Sequence, residues 1–194
     1  MIRQPADAAA FAERHGLMRG FWVFGYGSLM WNPEVAHTAR VMATVHGYHR
    51  RFCVYSHVYR GSPTAPGLLL GLDRGGSCRG LGFQVPAAAA PEAWGALWAR
   101  EMVTHVYRPV ILRAVVAAGV LPMVTFVAER RSDQYCPSLE PAAMAGIIRS
   151  AQGTRGTNKA YFDNTLAHLA ACGIRDRALL RLARLVGDTG ENAR

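Results

Sequence analysis

The segment Phe24-Gly25-Tyr26-Gly27-Ser28-Leu29 sets two glycines and a hydroxyl at the end of an aromatic, β-branched run. Glycine has no Cβ, so backbone there can approach a ligand closely, and successive N–H groups in such a turn can form an anion-binding nest. Two familiar chemistries are excluded by spacing. Met30 breaks the G-x-G-x-x-G dinucleotide pattern, and Ser28 directly after Gly27 is not the G-x-S-x-G nucleophile elbow. Spacing alone leaves a plain strand-to-loop turn and a ligand loop both open. Glu101 is the second candidate. It follows Trp94, Leu97 and Trp98 at helical intervals, which puts a carboxylate on an apolar stripe. A carboxylate there must be paired, protonated or functional, unless the helix rolls and exposes it. Desolvated beside tryptophans it would have the raised pKa that a general acid/base needs at neutral pH; pairing with Arg100 or another arginine is the structural alternative. Arg60, in the Gly/Pro-rich stretch RGSPTAPG, has the donor fork to grip a carboxylate, or is a solvated loop arginine. Tyr107 and Tyr161 offer phenol groups to a substrate or to an internal partner.

These residues need elements to hold them. Residues 22–26 read as a buried strand ending at Gly27-Ser28. Strands are expected at 41–46 and 51–56 around a turn near Gly47, and at 68–73 and 78–85 around the turn Arg74-Gly75-Gly76-Ser77, the clearest hairpin. Residues 91–105 form the strongest helix, with Pro91 in its first turn. Strands at 107–116 and 123–129 flank a turn at 119–122. Helices follow at 141–151, 158–171 and 176–185, with Gly173 as a stop and Asp176 as a cap. Strands follow one another through short turns, without a β-α-β rhythm, so the expected class is α+β: a mixed, barrel-like sheet surrounded by helices. Residues 1–20 read as a leader with one helical patch at 6–14, 21–188 as a single domain, and 189–194 as a tail.

Composition narrows the function further. The net charge is +9, but 21 of the 22 basic residues are Arg, Lys159 is the one Lys, and they are scattered. No run exceeds the pairs Arg50–Arg51 and Arg130–Arg131, so an anionic small molecule explains the charge as well as nucleic acid does. Cys53, Cys78, Cys136 and Cys172 have no metal-ligand spacing, and the seven histidines show no H-E-x-x-H, so no metal is expected. The longest apolar stretch, 110–127, carries Arg113, Gly119 and Pro122 and falls short of the ~20 uncharged residues of a membrane span. The charged N-terminus lacks the apolar core of a signal peptide. A cytoplasmic protein that binds neither membrane nor nucleic acid is expected.

From 22 to 185 the chain resembles the ChaC-like family, the glutathione-specific γ-glutamylcyclotransferases. The resemblance runs through WVFGYGSLMWNP at 22–33, GYHRRFCVYS at 47–56, YRGSPTAPGLLLGLD at 59–73, GGSCRGLGFQV at 75–85, WAREM at 98–102 and GTRGTNKAYFDNTLAHLAACGIRD at 153–176, in family order. It implies a small mixed β-barrel with surrounding helices and a reaction that needs no cofactor. In that reaction the substrate's α-amine closes on its own γ-carbonyl, releasing 5-oxoproline and, from glutathione, Cys-Gly. It implies Glu101 as the proton acceptor and donor, and Gly25, Tyr26, Gly27, Ser28 and Leu29 as the loop that cradles the γ-glutamyl group. Arg60, Tyr107 and Tyr161 fall near substrate-facing positions of the family. Other γ-glutamyl amino acids or amines as substrates, and a non-catalytic ligand-binding regulator, are the alternatives.

Overall fold

The computed structural model describes residues 5–187, so the expected tail at 189–194 lies outside the described residues. The elements in chain order are α1 (Pro5–Arg14), β1 (Phe21–Gly25), β2 (Ala39–Ser56), β3 (Gly67–Val85), α2 (Ala90–Glu101), β4 (Tyr107–Val116) and β5 (Gly119–Ala128). There follow α3 (Pro141–Ser150), the short β6 (Gln152–Gly153) and β7 (Gly156–Thr157), α4 (Asn158–Ala171) and α5 (Arg177–Gly187). Five strands close a barrel in the order β1-β3-β2-β4-β5. β1 pairs antiparallel with β3, from Phe21 opposite Val85 to Gly25 opposite Leu81, and parallel with β5 at Val23 and Val124. The sheet is therefore mixed and barrel-like, with helices added, as the sequence implied.

Two expected turns are absent. β2 runs unbroken through Gly47, and β3 runs unbroken through 74–77, so the hairpin anticipated there does not form. The glycines are used differently. Gly47 (φ +82°), Gly75 (φ +101°) and Gly76 (φ +68°) take left-handed backbone inside long strands, which bends a strand without reversing it. The turn expected at 119–122 sits earlier: Val116 opposes Gly119, leaving Ala117 and Ala118 to reverse the chain, and Pro122 lies within β5 opposite Arg113. β4 and α4 match their expected bounds. α2 ends at Glu101 rather than at His105, and Leu179 N–H donates to Asp176 Oδ1 (3.2 Å) as that cap required.

The described residues fall into two compact units, the first drawn from 5–50 and Leu72–Ser132, the second from Arg51–Gly71 and 133–187. In the first, Val23, Phe24, Val45, Leu72, Phe83, Met123, Val124 and Phe126 are buried together with Trp94 of α2. Trp94 stacks on Phe11 of α1 (5.3 Å) and on Phe126 (6.2 Å), and its Nε1–H donates to Ala8 O (2.9 Å). The helical patch foreseen at 6–14 is α1, and these contacts hold it against α2.

In the second unit, Phe52 packs against Phe162 and Tyr161 of α4. Asn158, fully buried, acts as a strand partner: its Oδ1 accepts from Leu68 N–H (2.7 Å) and its Nδ2 donates to Leu68 O (2.7 Å). A leucine there would leave both main-chain groups of Leu68 without this partner. Buried unsatisfied groups cost about 1–3 kcal/mol each, so Asn158→Leu is expected to lower unfolding stability by roughly 3 kcal/mol. Urea titration measures this; a loss under about 1 kcal/mol would mean that water replaces the amide.

Candidate active site

β1 delivers the glycine-rich segment to the barrel rim. After Gly25 the chain folds into a single 3₁₀ turn, Ser28–Met30. Met30 N–H donates to Gly27 O (2.8 Å), and Trp31 and Asn32 N–H both reach Ser28 O (3.2 and 2.9 Å). The N–H groups of Ser28 and Leu29 therefore open the turn, ahead of its first internal bond. The turn lies directly on Gly25. A Cβ built there would sit 3.1 Å from Leu29 Cβ and 3.1 Å from Met30 N, tighter than ordinary contact. That is the physical reason for glycine at 25. Gly25, Tyr26, Gly27, Leu29 and Met30 are buried and Ser28 is half-buried.

Two anchors fix this turn from behind. Tyr26 OH donates to Phe126 O of β5 (2.9 Å). Arg50, only 4% exposed, donates from Nε to Tyr26 O and from Nη2 to Arg79 O (2.7 Å), with its Nη2 also 3.7 Å from Met30 Sδ. Arg50 was not among the expected site residues. Its signal was strand parity: in β2 it shares alternation with the apolar Phe52 and Val54, so it points inward.

Glu101 is the last residue of α2, and its side chain is 14% exposed. Both open readings of the sequence hold at once, since the carboxylate is sequestered and Arg100 pairs with it, Nε to Oε1 at 3.2 Å. Desolvation holds its pKa above the ordinary carboxylate value; the Arg100 charge opposes the rise and the Glu34 charge adds to it. The C-terminal end of a helix is itself an unfavourable place for a negative charge.

Arg100 ties Glu101 to the glycine turn. Its Nη2 donates to Ser28 Oγ (2.8 Å), and its Nη1 donates to Asn32 O (2.6 Å) and meets Glu34 Oε2 (3.0 Å). Asn32 Nδ2 in turn donates to Glu34 Oε1 (2.8 Å). The Arg100–Glu101 pair is the structural alternative read from the sequence, formed although adjacent helical residues face about 100° apart. The arrangement ties a base-capable carboxylate and the Ser28 hydroxyl of the 3₁₀ turn to one arginine.

Of the other expected residues, Tyr107 is the half-buried first residue of β4. Arg60 and Tyr161 belong to the second unit, where they come together. The Arg60 guanidinium carbon lies 5.4 Å from the centre of the Tyr161 ring, and its Nη1 donates to Arg155 O (2.6 Å) and Thr157 O (3.3 Å). Arg60 is thus an ordered arginine bonded to main-chain carbonyls and stacked on an aromatic face.

The ChaC-like protein family model matches residues 21–189. The chain belongs to this family. It is 33% identical over 159 residues to the glutathione-specific γ-glutamylcyclotransferase of Escherichia coli K12, a match covering 81% of this chain and 69% of that protein. It is 31% identical over 171 residues to the enzyme of the same name from Schizosaccharomyces pombe, covering 78% and 81%. The crystal structure of a yeast γ-glutamyl cyclotransferase specific to glutathione superposes with a TM-score of 0.79 at 22% identity, over 88% of this chain and 96% of that one. The ChaC-like fold is thereby shared.

Proposed function

We propose that this ChaC-like chain is a γ-glutamylcyclotransferase that cleaves glutathione into 5-oxoproline and Cys-Gly, with Glu101 moving the proton. The observation that carries the reading is a sequestered carboxylate of raised pKa, joined through one arginine to the YGSL turn. Relatives named for this reaction, at 31–33% identity over most of the chain, support the substrate.

The substrate is a γ-glutamyl peptide with an α-ammonium group. Glu101, as carboxylate, takes one proton from that ammonium. The freed amine attacks the γ-carbonyl, a five-membered lactam forms, and the γ-amide C–N bond breaks. The cyclising nitrogen sheds a second proton as the lactam forms; Glu101 passes both protons, one after the other, to the departing nitrogen, which leaves as an ammonium, so two protons move and Glu101 ends as the carboxylate it began as. Well-oriented intramolecular attack reaches effective molarities of about 10⁵–10⁸ M, so most of the barrier is met by holding the chain curled. In this reading the N–H groups at Gly27, Ser28 and Leu29 face the oxygens that carry negative charge. The two anchors behind the turn, Tyr26–Phe126 and Arg50–Tyr26, keep those donors in place without reorganisation.

The test is mass-resolved product analysis with glutathione and, separately, γ-glutamyl amino acids. Equimolar 5-oxoproline and Cys-Gly from glutathione, with little product from the simpler compounds, is the expected result. Turnover of the simpler compounds alone would move the substrate class to γ-glutamyl amino acids. Binding of glutathione without product would make the chain a binding protein.

A further inference from the structure

Two residues around Glu101, Arg100 and Glu34, have no part in the proton transfer just described, yet the side chain of the first makes four polar contacts. Arg100 is 17% exposed and meets Glu101, Ser28, Asn32 and Glu34 at 3.2, 2.8, 2.6 and 3.0 Å. Glu34 is odder. Its backbone has φ +53°, the one left-handed non-glycine among the described residues. That conformation is disfavoured for an L-residue and suits glycine or asparagine better. Its side chain is 53% exposed, so burial does not explain a glutamate at that position. What the carboxylate does is visible: one oxygen takes Arg100 and the other takes Asn32 Nδ2.

We propose that Glu34 and Arg100 form a positioning pair for Glu101, in which Arg100 fixes the carboxylate relative to the Ser28–Met30 turn and Glu34 sets how much of the Arg100 charge that carboxylate receives. The inference rests on the cyclotransferase reading above. Arg100 is shared between two carboxylates, one on its own helix and one in the loop after β1. It cannot neutralise both fully. Glu101 therefore keeps a proton affinity suited to taking a proton and giving it back, where an unshared arginine would hold it as a weakly basic carboxylate. The influences on Glu101 oppose one another as a shared arginine requires: burial and Glu34 favour its protonated form, and Arg100 the ionised form. On the neighbouring strands, Arg108 of β4 meets Glu129, 3.8 Å away, just after β5.

The variants Glu34→Gln, Arg100→Met and Arg100→Lys, and the Glu34→Gln/Arg100→Met double, are assayed for 5-oxoproline release from glutathione across pH. Glu101 acts as carboxylate, so kcat/KM falls on the acid side as it protonates. Removing the Glu34 charge lowers its proton affinity and moves the acid limb to lower pH. Removing the Arg100 charge raises that affinity, moves the limb to higher pH, and lowers kcat/KM about 10- to 100-fold as charged hydrogen bonds to the turn are lost. Lysine keeps the charge and loses the fork, so its limb stays near the wild-type position while kcat drops. The double variant's limb lies close to that of Arg100→Met, shifted down by less than Glu34→Gln shifts the wild type, because only the direct Glu34 charge is then removed and its hold on Arg100 is already gone. A merely structural role would lower rates evenly with pH and shift no limb. An acid limb that Glu34→Gln leaves unmoved, or moves upward, overturns the proposal; this holds even if Arg100→Met fails to fold, because Glu34 is half exposed. Failure of the underlying reading looks different: the wild type itself would release no 5-oxoproline.

Discussion

Glu101→Gln is expected to fold, to lose about 10²–10⁴-fold in turnover, and to melt at a higher temperature than the wild type above neutral pH. The activity arm follows from proton transfer. An amide cannot take the proton from the substrate's ammonium, and no other described carboxylate meets Arg100 except Glu34, which lies half in solvent. The stability arm follows from burial. Desolvation raises the pKa of Glu101 above its unfolded value. A group raised in this way favours the folded state most at acid pH, where the carboxyl is protonated in both states. That contribution is lost as pH rises through the folded-state pKa, because the native protein must then hold a charge in a poorly solvated place. Glutamine carries no such charge, so the mutant's thermal advantage should open as pH rises and close toward the ordinary carboxylate range. Arg100 keeps Glu34 as its counter-ion in the mutant, which limits the damage of removing one partner. Thermal unfolding from acid to mildly alkaline pH, alongside product assay, checks both arms. Turnover within tenfold of wild type would remove Glu101 from the chemistry. An unaltered melting curve at every pH would mean that the carboxylate is solvated enough to carry its charge without cost.

The placement of Glu101 was half legible in the sequence. The stripe Trp94, Leu97, Trp98, Glu101 announces a carboxylate on a buried face, because helical period alone fixes that placement. The edges of β4 and α4, and the strand that ends in the glycine turn, were legible for similar reasons: their periodicity and their stop signals agree locally. The glycines of β2 and β3 were not. Gly47, Gly75 and Gly76 carry the same turn chemistry whether the chain reverses or merely bends, and partners distant in sequence decide which. The Arg100 network was hidden for another reason. Glu34 and Ser28 lie more than sixty residues before Arg100, as their separations of 66 and 72 show, and no local pattern connects them. Arg50 was legible in principle from strand parity, but its charge argued for solvent. The fold overrides that preference because its donors meet main-chain carbonyls at the site's rear wall.

Gly80→Ala tests how rigid that wall is, and a large loss of stability is expected, about 3 kcal/mol or more. A Cβ on Gly80 would lie 2.2 Å from Gly25 O and 2.8 Å from Phe24 Cζ. Neither can retreat easily. Phe24 is fully buried, and Gly25 is capped by the Ser28–Met30 turn folded onto it. Arg50 clamps both sides of the contact, through the carbonyls of Tyr26 and Arg79. Any movement that admits the methyl group must therefore shift the glycine turn or break a buried arginine's bonds, so the folded fraction should also bind glutathione more weakly. A matched control lies in α2. Gly95 is exposed and nothing lies within 4 Å of a Cβ built there, so Gly95→Ala should stabilise the helix by roughly 0.5–1 kcal/mol. The same substitution, made at two glycines, is thus expected to act with opposite sign in one denaturant series. If Gly80→Ala is as stable as the wild type, the close approach of β3 to the end of β1 is looser than the geometry says, and the turn is not held by the barrel behind it. If it is unstable while Gly95→Ala gains, the glycine at 80 is required by the main chain that supports the Ser28–Met30 turn.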